Sequence, residues 1–171
     1  MQPELVTLKS GRTVLIRPIA SDDGPRLRAA YDRLSPESKY RRFLAPKPHL
    51  STSETRYLVQ IDGRDHVALV ATSVDEPDYI LAVARYVRLD EDPEQAEFAI
   101  VVGDPYQQAG LGTALMEQLR TAAAANGITS FKATMLAENL PAHHLVRAFA
   151  GVPAAERHLG TVDEFEVDLS A

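Results

Sequence analysis

The sequence contains no cysteine. Disulfide bonds, thiolate metal sites and a cysteine nucleophile are therefore excluded. Long apolar runs are also missing. The N-terminal stretch MQPELVTLKSGR has no hydrophobic segment of the signal-peptide kind, and no stretch approaches the length of a membrane span. These absences predict a cytoplasmic protein that does not engage a membrane.

Basic residues are outnumbered by acidic ones, which gives the 171-residue chain a net charge of −6. This balance argues against general affinity for nucleic acid or anionic lipid and suits a cationic partner. Hydrophobic content of 45% and charged content of 25% are ordinary for a globular protein. We expect residues 1–171 to form a single domain; the composition leaves the oligomeric state open.

Recognisable metal and nucleophile motifs are also missing. His143 and His144 are adjacent and point different ways on a helix, while the other three histidines have no metal-ligand spacing. There is no G-x-S-x-G, Walker A or HExxH motif. We therefore expect no metal and predict surface or hydrogen-bonded histidines.

The hydrophobic pattern predicts an α/β fold with a mixed, mostly antiparallel sheet and helices on both faces. Short turns join the early strands, and a helix-length crossover at 110–126 implies one parallel pair. Ser21 is the expected cap of the first helix, and Gly127 the expected end of the crossover helix. The predicted strands are 4–9, 13–19, 67–72, 79–89, 95–102, 130–136, 155–159 and 165–169; the predicted helices are 21–34, a second from Ser35, a third capped by residues 51–53 and running to about 60, then 110–126 and 140–149.

Residues 95–120, QAEFAIVVGDPYQQAGLGTALMEQLR, predict a strand, a glycine-bearing loop and an amphipathic helix. One carboxylate, Glu97, interrupts the otherwise apolar strand. Gln107, Gly110 and Gly112 form the motif Q-x-x-G-x-G in the loop that follows this strand. A helix N-terminus approached through glycines exposes unpaired N–H groups and the positive end of the helix dipole, so it suits a phosphate or diphosphate.

This segment resembles the acyl-CoA-binding motif of the GNAT superfamily of N-acetyltransferases. The resemblance runs from about Leu8 to Phe149. Within the superfamily, the chain is most similar to the bacterial protein-lysine acetyltransferase (Pat-type) branch. The motifs that carry it are Leu34-Ser35-Pro36-Glu37-Ser38 with Tyr40 and Arg42-Phe43, Val83-Ala84-Arg85-Tyr86, Ala96-Glu97-Phe98-Ala99 and Ala137-Glu138-Asn139.

The resemblance implies a GNAT fold and direct transfer of an acetyl group from acetyl-CoA to a protein lysine, for example on an acyl-CoA synthetase. Glu97 would be the general base, because a lysine is almost all ammonium at pH 7. We expect its apolar neighbours to desolvate it and raise its pKa; the plain alternative is a solvent-facing strand glutamate. The implied cofactor-binding residues are Ile100, Val101, Val102, Gln107, Gln108, Ala109, Gly110, Leu111, Gly112, Thr113 and Asn139.

Several details depart from the branch or stay open. The branch usually reads Q-G-R-G-x-G, whereas this chain has Gln108 and Ala109, which removes a glycine and a cation. Asn139 could bind CoA, cap the following helix, or do both. Val146 stands where many relatives have a tyrosine as general acid. Residues 149–152 depart from the expected Leu-Gly-Phe.

Two other functions remain open at this stage. The domain could bind acyl-CoA as a sensor or partner module without turnover, or it could acetylate a small-molecule amine. Glu97→Gln separates enzyme from sensor, since only an enzyme would lose rate while CoA affinity stays intact.

Overall fold

Eight strands form one mixed sheet in this computed structural model, which describes residues 2–150 and 155–169. The spatial order is β1-β2-β3-β4-β5-β6-β8-β7. All neighbours are antiparallel except β5 and β6, which are parallel as predicted. The strands are β1 Glu4–Thr7, β2 Thr13–Pro18, β3 His66–Ser73, β4 Ile80–Arg88, β5 Gln95–Val102, β6 Ser130–Leu136, β7 Ala155–Leu159 and β8 Val162–Asp168.

Five α-helices within the described part of the chain cover the two faces of this sheet. The helices are α1 Gly24–Asp32, α2 Pro36–Phe43, α3 Thr52–Val59, α4 Leu111–Ala125 and α5 Leu140–Ala150. Leu115 and Leu119 of α4 pack on one face together with Val146 of α5. Leu27 of α1 and Leu58 of α3 pack on the other face. The predicted fold class is confirmed.

Helix ends follow the local sequence closely. Ser35 caps α2 by accepting from the Ser38 N–H, and Pro36 occupies the first helical position. Ser51 and Glu54 form a capping box at α3. Gly127, just beyond α4, has a φ of +75°, the left-handed conformation that ends many helices.

Two predicted boundaries were wrong by three residues, and the others differ from the structure by two residues or fewer. A 3-10 turn at Ser21–Asp23 precedes α1, and Ser21 does not cap it. The buried Asp23 carboxylate accepts instead from the Ala20 N–H at 2.8 Å and from Arg17 at 2.7 Å. β8 begins at Val162 rather than at 165, because the buried Asp163 interrupts the apolar alternation.

Residues Gly151 and Val152, part of the departure noted at 149–152, lie outside the described residues. That residues 1–171 form a single domain stays a prediction. Within the described ranges, no helix combines the length and apolar character needed to cross a membrane.

Candidate active site

β5 is paired along almost its whole length on one side and only at its start on the other. Its ladder with β4 runs from Ala96 to Val102. Its parallel ladder with β6 ends where Glu97 lies opposite Lys132. Beyond that point the described strands share no register, so the second half of β5 has a free edge.

The direction of the backbone groups on that edge follows from one hydrogen bond. The Gly103 N–H donates to Leu81 O on β4 at 2.8 Å. Backbone groups of successive strand residues point to alternate edges. The peptide groups of Ile100 and Val102 therefore point to the free edge, whereas those of Val101 point to β4. The predicted use of main-chain groups at 100–102 is thus possible at Ile100 and Val102 but not at Val101.

The loop after β5 leads to an uncapped helix N-terminus. Gly110 has a φ of +87°, and no side chain caps α4. The N–H groups of Leu111, Gly112 and Thr113 precede the first helical hydrogen bond, which runs from Ala114 N to Gly110 O at 3.1 Å. These are the unpaired donors that a diphosphate would need.

Two basic residues from a distant turn lie beside this loop. The Cγ atom of Lys9 lies 3.8 Å from the position that a Cβ on Gly110 would take. The Arg12 guanidinium lies 5.1 Å from the centre of the Tyr106 ring in the same loop. The strand-turn-strand at the N-terminus therefore brings two basic residues next to the loop, which itself lacks the arginine of the Pat-type motif. Local motif reading missed both residues, because they are about 100 positions away.

Gln107 ties the loop to its surroundings. Its Nε2 donates to Val102 O at 3.1 Å and to Ser38 Oγ at 3.4 Å. Gln108 has a φ of +60°, a left-handed conformation that suits the glycine of the Pat-type motif better than glutamine. Ala109 is partly buried and packs against the core.

Asp104 joins the same loop to the start of α2. Its carboxylate accepts from the Ser35 N–H at 3.0 Å, from Ser35 Oγ at 2.9 Å and from Ser38 Oγ at 2.8 Å. Partial burial acts to raise the pKa of Asp104, but the hydrogen bonds from these two serines outweigh it and lower the pKa. The loop between β5 and α4 is thereby hydrogen-bonded to the start of α2.

Gly112 and Asn139 both have packing roles in addition to the predicted ligand contact. A Cβ on Gly112 would lie 3.3 Å from a Leu145 methyl group and 3.8 Å from one on Ile100. Asn139 Oδ1 accepts from the Ala142 N–H at 3.3 Å, which caps α5. Capping by Asn139, one of the two roles left open, is therefore present; its contact with CoA stays a prediction.

Glu97 lies on the face of the sheet that carries α1 to α3, but its side chain is exposed. The expectation that apolar neighbours desolvate it was wrong, because the carboxylate remains exposed to solvent. An exposed carboxylate is accessible to an incoming amine, either directly or through water. Arg42 of α2 is close enough for the charge of Glu97 to act on its pKa.

The same face holds two adjoining hollows. A cavity of about 340 Å³ lies between α1 and the strands β4 and β5, with Tyr31, Val83 and Val101 among its lining residues. A smaller hollow shares these three residues and adds Arg42 and Arg85. Together they form a trough on the face of the sheet that carries α1 to α3.

A cluster of histidine and carboxylate groups lies elsewhere, between α5 and the last two strands. Ligand atoms of His143, Glu156 and Asp163 all fall within 4.8 Å of one another, although their spacing in the sequence suggested no metal site. His143 is hydrogen-bonded, with Nε2 at 3.2 Å from Leu136 O. Arg147 pairs with Glu156 at 3.2 Å.

Comparisons with known proteins agree with this geometry. The sequence model described as "Acetyltransferase (GNAT) family" matches residues 28–151. The chain is 33% identical to Acetyltransferase Pat of Mycolicibacterium smegmatis over 98% of its length, but it spans only 49% of that relative.

Solved structures show the same fold. The GNAT domain of S. lividans PAT superposes with a TM-score of 0.89 at 31% identity, covering 97% of this chain and 96% of that one. The putative acetyltransferase yncA of Salmonella typhimurium, solved with its cofactor acetyl-CoA, superposes with a TM-score of 0.72 at 14% identity, covering 92% of this chain and 94% of that one.

Proposed function

The chain belongs to the acetyltransferase (GNAT) family, and on that premise we propose that it transfers an acetyl group from acetyl-CoA to a lysine ε-amino group of a protein. The free edge of β5 beside the uncapped N-terminus of α4 is the observation that carries the proposal. The protein-lysine acceptor is carried over from the similarity to Pat. An acyl-CoA synthetase remains one candidate acceptor.

On the donor side, the diphosphate of acetyl-CoA would bind the N–H groups of Leu111, Gly112 and Thr113, with Lys9 adding positive charge. The pantetheine arm would lie along the free edge of β5, where its amides can pair with the peptide groups of Ile100. Binding there places the thioester near the middle of β5. A main-chain N–H on this edge can stabilise the oxyanion of the tetrahedral intermediate.

On the acceptor side, the lysine would enter through the trough on the face of the sheet that carries α1 to α3. Glu97 would accept a proton from the ammonium group, so that the neutral amine attacks the thioester carbonyl. The C–S bond then breaks, CoA leaves as a thiolate, and the remaining excess proton on the attacking nitrogen passes to the thiolate or to solvent, which leaves a neutral amide. A thiol has a pKa near 8.5, so the thiolate can leave without a general acid. Val146, at the position of the tyrosine, has an aliphatic side chain that cannot donate a proton, and it is buried.

The test is a CoA-release assay with the full chain, acetyl-CoA and a panel of lysine-bearing proteins and small amines. We expect Glu97→Gln to lower kcat/KM about 100-fold or more, with an unchanged dissociation constant for CoA. Glu164→Gln, which alters an exposed carboxylate on β8, serves as the matched control. Turnover of small amines alone would reassign the acceptor. CoA binding without turnover on any acceptor would identify a sensor instead.

A further inference from the structure

Arg85 of β4 lies on the face of the sheet that carries α1 to α3, beside the proposed base Glu97. It lies directly opposite Ala99, while Glu97 lies opposite Val87. Arg85 and Glu97 are therefore diagonal neighbours on one face, about 7–8 Å apart at the backbone and within reach of long side chains. Any group bound by Arg85 would lie close to the amine that Glu97 serves.

Arg85 is buried, yet none of its described partners is acidic. Its exposure is 6%. Nη1 donates to Leu58 O at 3.2 Å and to His66 Nε2 at 3.1 Å. Burial and the charge of Arg85 lower the pKa of His66, in keeping with a neutral ring that accepts this bond.

The other nitrogens of Arg85, Nε and Nη2, have no hydrogen-bond partner among the described residues. Neither is among the buried side-chain atoms left unsatisfied, so both keep some accessible surface, and Arg85 is one of the residues that line the smaller hollow. A guanidinium presents these donors in a planar fork that matches a carboxylate.

Arg42 brings a second cation to the same place. It lines the hollow with Arg85 and forms no salt bridge with any residue that the structure describes. Burial lowers the pKa of Arg42, while the charge of Glu97 partly offsets this effect. Burial, followed by the charge of Arg42, lowers the pKa of Arg85 to about 9.

A buried and a half-buried cation held together, as Arg85 and Arg42 are, are unfavourable unless an anion joins them. Other groups facing them are the phenols of Tyr31 and Tyr57, His66 and the exposed Glu97. None supplies a carboxylate within salt-bridge distance. We call the hollow lined by Arg42, Arg85, Tyr31, Phe43, Ala99 and Val101 the arginine pocket.

We propose that the arginine pocket binds a carboxylate of the acceptor, so that the amine acetylated beside Glu97 belongs to a molecule with an acidic group close to that amine. The inference rests on the proposed function. The donor's phosphates do not fit this role, because the N-terminus of α4 packs on the opposite face of β5, with Ile100 and Leu145.

A carboxylate near an amine has two sources. One is an Asp or Glu side chain beside a lysine in a polypeptide, and the other is a free amino acid. Four kinds of acceptor separate them: a blocked peptide with glutamate next to its lysine, the same peptide with glutamine in place of glutamate, free amino acids, and the amides of those amino acids. Each is assayed by CoA release with acetyl-CoA.

We expect kcat/KM to be at least tenfold higher for the glutamate peptide than for its glutamine analogue, or for a free amino acid than for its amide. Arg42→Gln and Arg85→Gln should each reduce that preference to less than threefold, mainly through KM. Arg28→Gln, an exposed arginine of α1, should leave it unchanged. Arg42→Gln keeps the test valid if Arg85→Gln fails to fold.

Equal turnover of the acidic and neutral acceptors by the wild-type protein would overturn the proposal while leaving the acetyltransferase function intact. A preference that survives both arginine substitutions would also overturn it. If no acceptor is turned over, the dissociation constants of the two peptides decide. Tighter binding of the glutamate peptide that depends on Arg42 supports the arginine pocket, and equal binding refutes it.

Discussion

Ser38 Oγ donates a hydrogen bond to Asp104 Oδ1 at 2.8 Å. This bond joins α2, which carries Arg42 toward the proposed acceptor, to the loop that would hold the diphosphate of the donor. Ser35 adds two more bonds to the same carboxylate. The donor loop and the acceptor helix α2 would therefore be held together by the carboxylate of Asp104.

Asp104→Asn should weaken this junction in a pH-dependent way. Because the folded-state pKa of Asp104 lies below its ordinary value of 3.8, its stabilisation is complete above pH 3.8 and disappears as the pH falls through the folded-state pKa. We expect a loss of about 1 kcal/mol at pH 7, where solvent competes for the exposed carboxylate. Urea denaturation of both proteins at pH 7 and pH 3 measures this, and a difference that stays constant between the two would contradict the assignment.

Gln108 pays a conformational cost that glycine would avoid. Its φ of +60° lies in the left-handed region, which costs a side-chain-bearing residue about 1 kcal/mol. We expect Gln108→Gly to be more stable than Gln108→Ala by about 1 kcal/mol in urea denaturation.

The neighbouring Gln107 is the matched control, since its φ is −64°. There the order should reverse, with the alanine variant the more stable, because glycine loses more entropy on folding. Equal effects at the two positions would show that backbone conformation does not explain the departure from the Pat-type motif.

Much of the donor side could be predicted from the sequence. The alternation at 95–102 and the glycines at 110 and 112 gave β5 and the start of α4 within one residue. Both signals are local: one reports backbone periodicity and the other reports allowed dihedral angles. The resemblance to the GNAT family and its fold, also predicted, is confirmed by the family match and by the superposition on S. lividans PAT.

The acceptor side could not be predicted in the same way. Alternation places Glu97 on one face of β5 but does not say whether a helix covers that end of the strand. The convergence of Arg42 with Arg85 depends on how α2 packs against β4 and β5, which neither local pattern contains. The same holds for Lys9, which reaches Gly110 only because β1 and β2 lie at the edge beside β3.

Lys9→Gln should weaken the binding of acetyl-CoA, and it should do so only through the phosphates. An exposed cation near a phosphate contributes about 0.5–1 kcal/mol, so we expect the dissociation constant of CoA to rise about two- to fivefold at low salt. The effect should shrink as salt is added. Arg28→Gln, remote from the loop on α1, controls for the change in net charge.

S-acetylpantetheine, which lacks the diphosphate, provides the second comparison for Lys9. Its KM should be the same in the wild-type protein and in Lys9→Gln. A rise in this KM equal to that seen with acetyl-CoA would mean that Lys9 shapes the free edge of β5 and not the phosphate site.

Gly112→Ala distinguishes a packing role from a ligand-binding role. The added Cβ would meet a Leu145 methyl group at 3.3 Å and would point toward Ile100, so it would narrow the space beside the free edge of β5. Alanine favours a helix over glycine by about 1 kcal/mol, and the end of a leucine side chain can shift by a few tenths of an ångström. We therefore expect the free energy of unfolding to change by less than about 1 kcal/mol while KM for acetyl-CoA rises several-fold. Adding Leu145→Ala should restore KM if the narrowed space is the cause, and a KM that stays high would place the obstruction at the diphosphate itself.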